Sequence, residues 1–146
     1  MSEKKGVSVE CRYEIGKSQV FKTGARSLPE IRFDFADLTR EEVNGEHLGA
    51  RLLLCAALAC YTNTFVNALK ATGVETRSLS ARAIIEKERD DILRTRYTRI
   101  LLELEVGVDE KDDATFERIR EDMDRGSLLT YSLEEGIETE YDVRKV

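Results

Sequence analysis

The sequence has one histidine (His47), one proline (Pro29), no tryptophan and three cysteines without a CxxC pair. With a single imidazole there is no histidine cluster. A closed zinc site would need four ligands gathered from scattered positions, so no metal and no cofactor are expected. An odd number of cysteines does not build a disulfide scaffold; it fits free thiols in a reducing compartment. A basic surplus is also missing. The net charge of −6 and pI of about 5.0 argue against a nucleic-acid partner. Acidic and basic residues are interspersed along the chain, as on a solvated surface. The opening MSEKKGVSVE has neither the apolar core of a secretory signal nor the character of a transit peptide. The expected location is the cytoplasm.

At 146 residues the chain fits one domain, residues 1–146, long enough to bury a core. The longest apolar stretch is HLGARLLLCAALACYTNTFVNALKAT, residues 47–72. It contains no proline and consists mostly of good helix formers, so it predicts one helix of about 24 residues. Leu54, Leu58, Tyr61, Phe65 and Leu69 follow a core spacing. Apolar residues occupy most other positions between Leu48 and Cys60 too, which predicts burial on most sides. Arg51, Asn63 and Asn67 interrupt the run, so a membrane span is not expected. One narrow polar stripe remains: Cys60, Asn63, Thr64 and Asn67, spaced to share a face.

Before this helix, Val7, Val9, Cys11, Tyr13 and Ile15 alternate with polar residues as a half-buried strand, with Cys11 as a small core residue. A turn at Gly16-Lys17-Ser18 leads to a second strand, Gln19 to Lys22. The segment Thr23 to Pro29 reads as a loop. Ile31, Phe33 and Phe35 mark a third strand, completing an antiparallel meander. Residues 36–46 are polar, with the turn signal Asn44-Gly45.

After the helix, Gly73 is a plausible C-terminal cap. Two amphipathic strands follow, one with Leu79, Ala81, Ala83 and Ile85 on a face, the other with Ile100, Leu102, Leu104 and Val106. A charged turn is expected between them at Glu86 to Asp91. Residues 111–124 carry Phe116, Ile119 and Met123 at helical spacing. Gly126 breaks that helix, and Ser127 to Glu135 reads as a short helix with Ser127 as N-cap. Ile137, Thr139, Tyr141 and Val143 alternate as a last strand. The order β-β-β-α-β-β-α-α-β defines an α+β fold with antiparallel sheets around a long central helix.

This element order, the mid-helix Ala59-Cys60-Tyr61, the Thr98-Arg99-Ile100 that opens the fifth strand, and the ending SxxxYSLEEGIETEYDV together resemble the OsmC/Ohr family of thiol peroxidases. The resemblance covers nearly the whole chain. It implies an intertwined homodimer with two active sites at the subunit interface. It also implies a reactive cysteine on the central helix that reduces organic hydroperoxides, a second cysteine that resolves the sulfenic acid as a disulfide, and an arginine, held by a glutamate, that activates the first thiol.

Carried onto this chain, the reactive cysteine falls on Cys60. The arginine falls on Arg26, in Thr23-Gly24-Ala25-Arg26. The glutamate position holds Ala50. The second-cysteine position holds Ser127, in Ser-Leu-Leu-Thr where the family has Cys-Pro-x-Ser. A hydroxyl cannot form the resolving disulfide. Cys55 cannot replace it: five residues along a helix means about 7.5 Å of rise and about 140° of rotation, whereas disulfide Cα separations seldom exceed about 6.8 Å. Cys55 is expected in the core. What stays open is a one-cysteine cycle in which an external thiol reductant reduces the sulfenic acid.

A thiol reacts as its thiolate, and an unperturbed thiol titrates near about 8.5. Cys60 lies well inside its own helix, beyond much help from that helix's dipole, and burial raises a thiol. A cation, Arg26, is the expected activator; without one, Cys60 is an inert packing residue. Two functions follow from the two readings. One is reduction of an apolar organic hydroperoxide by Cys60. The other is a catalytically degenerate binding or structural protein with an apolar interfacial pocket. A helix apolar on most sides also predicts that burial continues across the two-fold axis of a homodimer.

Overall fold

The computed structural model describes residues 6–136. The expected strand at 137–143 lies outside the described residues. The chain divides into two compact units, Met1–His47 and Leu48–Val146.

The first unit holds the meander: β1 Glu10–Glu14, β2 Ser18–Lys22 and β3 Glu30–Asp34, antiparallel in the order β1-β2-β3. Its register aligns Cys11 with Phe21 and Phe21 with Ile31, and likewise Tyr13 with Gln19 and Gln19 with Phe33. Successive residues of a strand point to opposite faces, so these side chains share one face, on which Phe21 and Phe33 meet edge-on at 5.1 Å. Cys11 lies on that face, as its alternation requires, but it is exposed rather than a core residue. Its position in an end strand of a three-stranded sheet explains the difference; Gln19 Nε2 donates to Cys11 Sγ at 3.4 Å.

Residues 36–46 contain a helix that hydropathy alone did not disclose. This helix, α1, spans Arg40–Gly45 and is opened by a capping box. The Glu42 N–H donates to Thr39 Oγ1 at 3.2 Å, and the Thr39 N–H donates to Glu42 Oε2 at 2.7 Å. The Thr39 backbone N–H first, and then the Thr39 hydroxyl, hold the Glu42 carboxyl below its ordinary range. The signal was present as Thr39-x-x-Glu42, the capping-box spacing. His47 follows with a left-handed φ of 50° and an exposed side chain.

The second unit opens with α2, Leu48–Ala71, whose 24 residues are the predicted central helix. It ends where expected, at Gly73 with φ 79°; the Val74 N–H returns to the Leu69 carbonyl at 3.0 Å. Strands β4, Ser78–Arg89, and β5, Thr95–Gly107, form a long hairpin. Its turn lies at Asp90–Arg94, beyond the predicted Glu86–Asp91, because charged residues continue the ladder. Glu86 opposite Arg99 forms an ion pair at 3.3 Å, and a bulge follows at Glu86/Lys87. At the open end, Arg77 donates to both carboxylate oxygens of Asp109, at 3.3 and 2.9 Å.

Helix α3, Asp113–Asp122, is flanked by two single turns of 3-10 helix, and α4 spans Leu128–Glu135. Phe65, Leu69 and Val74 pack with Ile119 and Met123 as the core of this unit. Phe116 extends it at 5.8 Å from the Phe65 ring. Leu69 is wholly buried, and burial of a side chain of this size stabilises by about 1.5–3 kcal/mol.

The surroundings of α2 differ from expectation. Only Ala57, Phe65 and Leu69 are buried among its described side chains; Cys55 is exposed rather than core. An intrachain core fed by β4, β5, α3 and α4 covers one face of a helix that is apolar on several. By length and composition the helical segment Arg40–Ala71 is apolar enough to cross a membrane, although Arg51, Asn63 and Asn67 interrupt its α2 portion.

Candidate active site

The site is built where α2 meets the start of α4. Thr64 donates its hydroxyl to the Cys60 carbonyl at 2.8 Å, an i to i−4 bond that turns this polar side chain back onto its own helix. The neighbouring Tyr61 points toward α3 and donates to the Met123 carbonyl at 3.1 Å. Burial, then the Asp124 charge, pushes the Tyr61 phenol up, so it acts as a neutral donor. This bond fixes the chain just before α4 against the helix that carries the thiol.

Gly126 then turns the backbone at φ 77°, in the left-handed region that glycine enters without steric cost. A Cβ at this position would stand 2.7 Å from Thr130 Oγ1 and 3.4 Å from the Tyr131 nitrogen. Glycine therefore lets the first turn of α4 close over its own entry. Ser127 is the N-cap, as the sequence predicts, in a capping box completed by Thr130. The Ser127 N–H donates to Thr130 Oγ1 at 2.7 Å, the Thr130 N–H donates to Ser127 Oγ at 3.3 Å, and the two hydroxyl oxygens lie 3.0 Å apart.

Cys60 sits against this capped end. The Ser127 hydroxyl foremost, and then the Leu129 backbone N–H, hold the thiol below its ordinary range. Burial opposes them, and Thr64 adds a smaller contribution, consistent with its proton being engaged by the Cys60 carbonyl. The sequence named a cation as the expected source of help for Cys60 and did not anticipate a second helix. The cysteine's own helix gives little, but a second helix presents its N-terminal donors to the sulfur, where negative charge is favoured. Among the described residues, no cation is among the groups that lower this thiol.

Arg26 belongs to the other unit and lies exposed in its loop. That loop is shaped locally. The Thr23 hydroxyl donates to the Leu28 carbonyl, and the Ala25 N–H donates back to Thr23 Oγ1 at 3.0 Å. Gly24 adopts φ 74°. Ala50, at the position of the family's glutamate, lies half-buried near the start of α2.

Beside the thiol, an open cavity of about 580 Å³ runs between α2, the hairpin and α4. Leu53, Ala57 and Tyr61 form its α2 wall, and Ile85, Ile100 and Leu102 its sheet wall; Thr130 and Leu133 contribute from α4. Arg99, Asp124 and Glu134 supply its charged groups. Cys60 does not line it, but Tyr61 on one side and Gly126 and Thr130 on the other do. No group of three or more potential metal ligands clusters among the described residues.

Sequence reasoning located Cys60 and Ser127 and read Gly126 as a helix break, but missed Thr130 and the Leu129 N–H. Ser127-x-x-Thr130 is a loose form of the capping-box spacing, so one half of that signal was present. The approach of this box to a cysteine far earlier in the chain was not.

An α+β chain with a thiol on its long helix, held at the capped start of a later helix, defines a cysteine-centred domain. The chain belongs to the OsmC-like family: residues 49–142 match the profile described as OsmC-like protein. Its fold is similar to that of an OsmC-like protein of unknown function from Vibrio cholerae O1 biovar eltor, with a TM-score of 0.66, 12% identity and coverage of 92% of this chain and 95% of that one. It is also similar to a putative osmotic stress induced and detoxification response protein from Psychrobacter arcticus, with a TM-score of 0.56, 10% identity and coverage of 90% and 91%. No curated protein matches the chain.

Proposed function

We propose that this protein reduces organic hydroperoxides through Cys60 by a one-cysteine cycle, as a cytoplasmic member of its family in oxidative stress defence. The observation that carries this reading is the donor set at the sulfur, the Ser127 hydroxyl and the Leu129 N–H, which favours the reactive thiolate. Family membership supports a general stress-related role.

In the proposed step the Cys60 thiolate attacks the distal peroxide oxygen and the O–O bond breaks. The departing alkoxide takes a proton from water to become the alcohol, and Cys60 becomes a sulfenic acid, oxidised by two electrons. Ser127 forms no disulfide. Two equivalents of an external thiol then return the sulfenic acid to thiol, releasing water and leaving with the disulfide between them. The mixed apolar character of the neighbouring cavity suits an apolar alkyl hydroperoxide better than hydrogen peroxide.

The test is turnover of cumene hydroperoxide with a dithiol reductant. Cys60→Ser is expected to abolish it, and Cys11→Ser with Cys55→Ser to leave it intact. Full activity in Cys60→Ser would overturn the reading. Arg26 enters as activator through the loop resemblance alone, and Arg26→Ala in the same assay measures that role: a loss of roughly 10²-fold is expected if its charge assists the step.

A further inference from the structure

A register shift in the hairpin decides which β5 side chains face the cavity. Ile85 pairs with Ile100 and Glu86 with Arg99, but Lys87 pairs with Tyr97, so Thr98 is the extra residue of a bulge. Paired residues share a face and successive ones alternate. Without the bulge, Tyr97 and Ile100 would stand on opposite faces of the hairpin. The bulge re-aims Tyr97 and returns it to the face of Ile85 and Ile100, which line the cavity with it. Arg99 borders the cavity as well, but it belongs to the opposite face, where Glu86 pairs with its guanidinium at 3.3 Å.

Tyr61 adds a second ring from the α2 wall. Its O–H is already donated to the Met123 carbonyl at 3.1 Å, so it offers a ligand its ring and no donor. The other charged groups of the cavity are both acidic. Asp124 precedes α4, Glu134 lies in its last turn, and both are exposed. Among the described residues no ion pair reaches either of them. Arg120, whose guanidinium feels the Asp124 charge, is paired with Glu117 at 2.9 Å. Lys87, opposite Tyr97, does not line the cavity. The last turn of α4 carries no basic residue, so nothing there offsets the negative end of its dipole.

Aromatic faces, carboxylates and a helix C-terminus all favour positive charge. The remaining walls, with Leu53 and Leu102, favour a hydrocarbon body. A volume of about 580 Å³ is that of a site for a drug-sized molecule. We propose that this cavity binds an organic cation, its ammonium head held by Tyr97, Asp124 and Glu134 and its alkyl body set against α2 and the sheet. The same walls accept the body of an anionic or neutral analogue, but the two carboxylates repel an anionic head and gain nothing from a neutral one. The proposal goes beyond the peroxidase reading: Cys60 does not line the cavity, and binding needs no turnover.

The test is calorimetric titration of the full chain at low ionic strength with octyltrimethylammonium, octanoate and 1-octanol, which share a body and differ in head charge. The cation is expected to bind about tenfold tighter than octanol, and octanoate more weakly than either. Asp124→Asn with Glu134→Gln should remove that preference and leave octanol binding unchanged. Tyr97→Leu keeps an apolar side chain and should weaken the cation alone, by about threefold. Tyr97→Phe keeps the ring and should bind as the parent does. The net charge of −6 attracts any cation, so the control is Glu10→Gln with Glu41→Gln, two exposed carboxylates that do not line the cavity; it should bind as the parent does.

Equal affinity for the three heads would overturn the proposal, and so would a preference for octanoate, which would make Arg99 the governing charge. Weakening in the control pair equal to that in Asp124→Asn with Glu134→Gln would reduce the effect to net charge and overturn it too. So would no binding of the cation at millimolar concentration. Cys60→Ser should bind the cation as the parent does, which separates the two proposals. Binding in a protein that turns over no hydroperoxide keeps the cation site and removes the peroxidase reading; turnover without cation preference does the reverse.

Discussion

At the proposed site Ser127 stands where the family resemblance expects a second thiol, and its hydroxyl is the foremost group lowering the Cys60 thiol. Ser127→Cys is therefore expected to yield, under mild oxidation, a disulfide between residues 60 and 127, detected by mass spectrometry as a linked peptide pair with two thiols lost. The substitution should cost roughly 1 kcal/mol of stability when reduced, since a thiol caps a helix less well than a hydroxyl. Absence of the linked pair would mean that the side chains do not approach. The lowered thiol also bears on folding. A group held below its unfolded-state value adds stability above that value, and loses it as pH falls through the folded-state value. Cys60 should thus stabilise the fold on the alkaline side only. At this scale the sequence was half legible. Cys60 stood out by its stripe on an apolar helix and Ser127 by its place after Gly126. The donors that tune the sulfur come from backbone and hydroxyl groups, which leave little compositional trace.

Elements were legible where one periodicity ran unbroken. The 24 residues of α2 and the alternation of the meander gave themselves away, as did Phe116, Ile119 and Met123 on one face of the segment before α4. Where charge patterns overrode apolar ones, boundaries moved: Glu86 and Arg99 continue a ladder that hydropathy had ended. Helix α1 carries no apolar stripe and was recoverable only through Thr39-x-x-Glu42. The start of α4 is the element boundary with most at stake. Gly126→Ala would force a left-handed φ on a residue with a Cβ and push that Cβ into Thr130 Oγ1, so a loss of about 1–3 kcal/mol is expected. Thermal unfolding measures that loss, and slower alkylation of Cys60 should accompany it, because the displaced box no longer presents its hydroxyl. Unchanged melting and unchanged alkylation would show that the first turn of α4 tolerates the side chain.

On the scale of the whole molecule, the unsolved quantity in the sequence was what covers α2. A helix apolar on several sides reads as buried, yet within the chain only Ala57, Phe65 and Leu69 reach that state. Leu128 and Tyr131 of α4 are exposed as well. Periodicity reports that a surface is to be covered without saying by which chain. The homodimer that the sequence leads one to expect would supply a cover. Light scattering at micromolar concentration is expected to give twice the mass of one chain, and a stable monomer would contradict it.

The joining of α2 to α4 has a consequence in time. The meander pairs neighbours in sequence and the β4–β5 hairpin closes on itself, so both can form early. The bond from Tyr61 to Met123 spans 62 residues, and Cys60 and Ser127 lie further apart still in sequence. During synthesis the cysteine leaves the ribosome long before its partner is made, and loop-closure entropy delays their meeting further. On the proposed reading, the nascent chain carries an ordinary thiol, and its activation arrives only as one of the last steps of folding. The proposed reactive atom would then be assembled after most of the chain has been made.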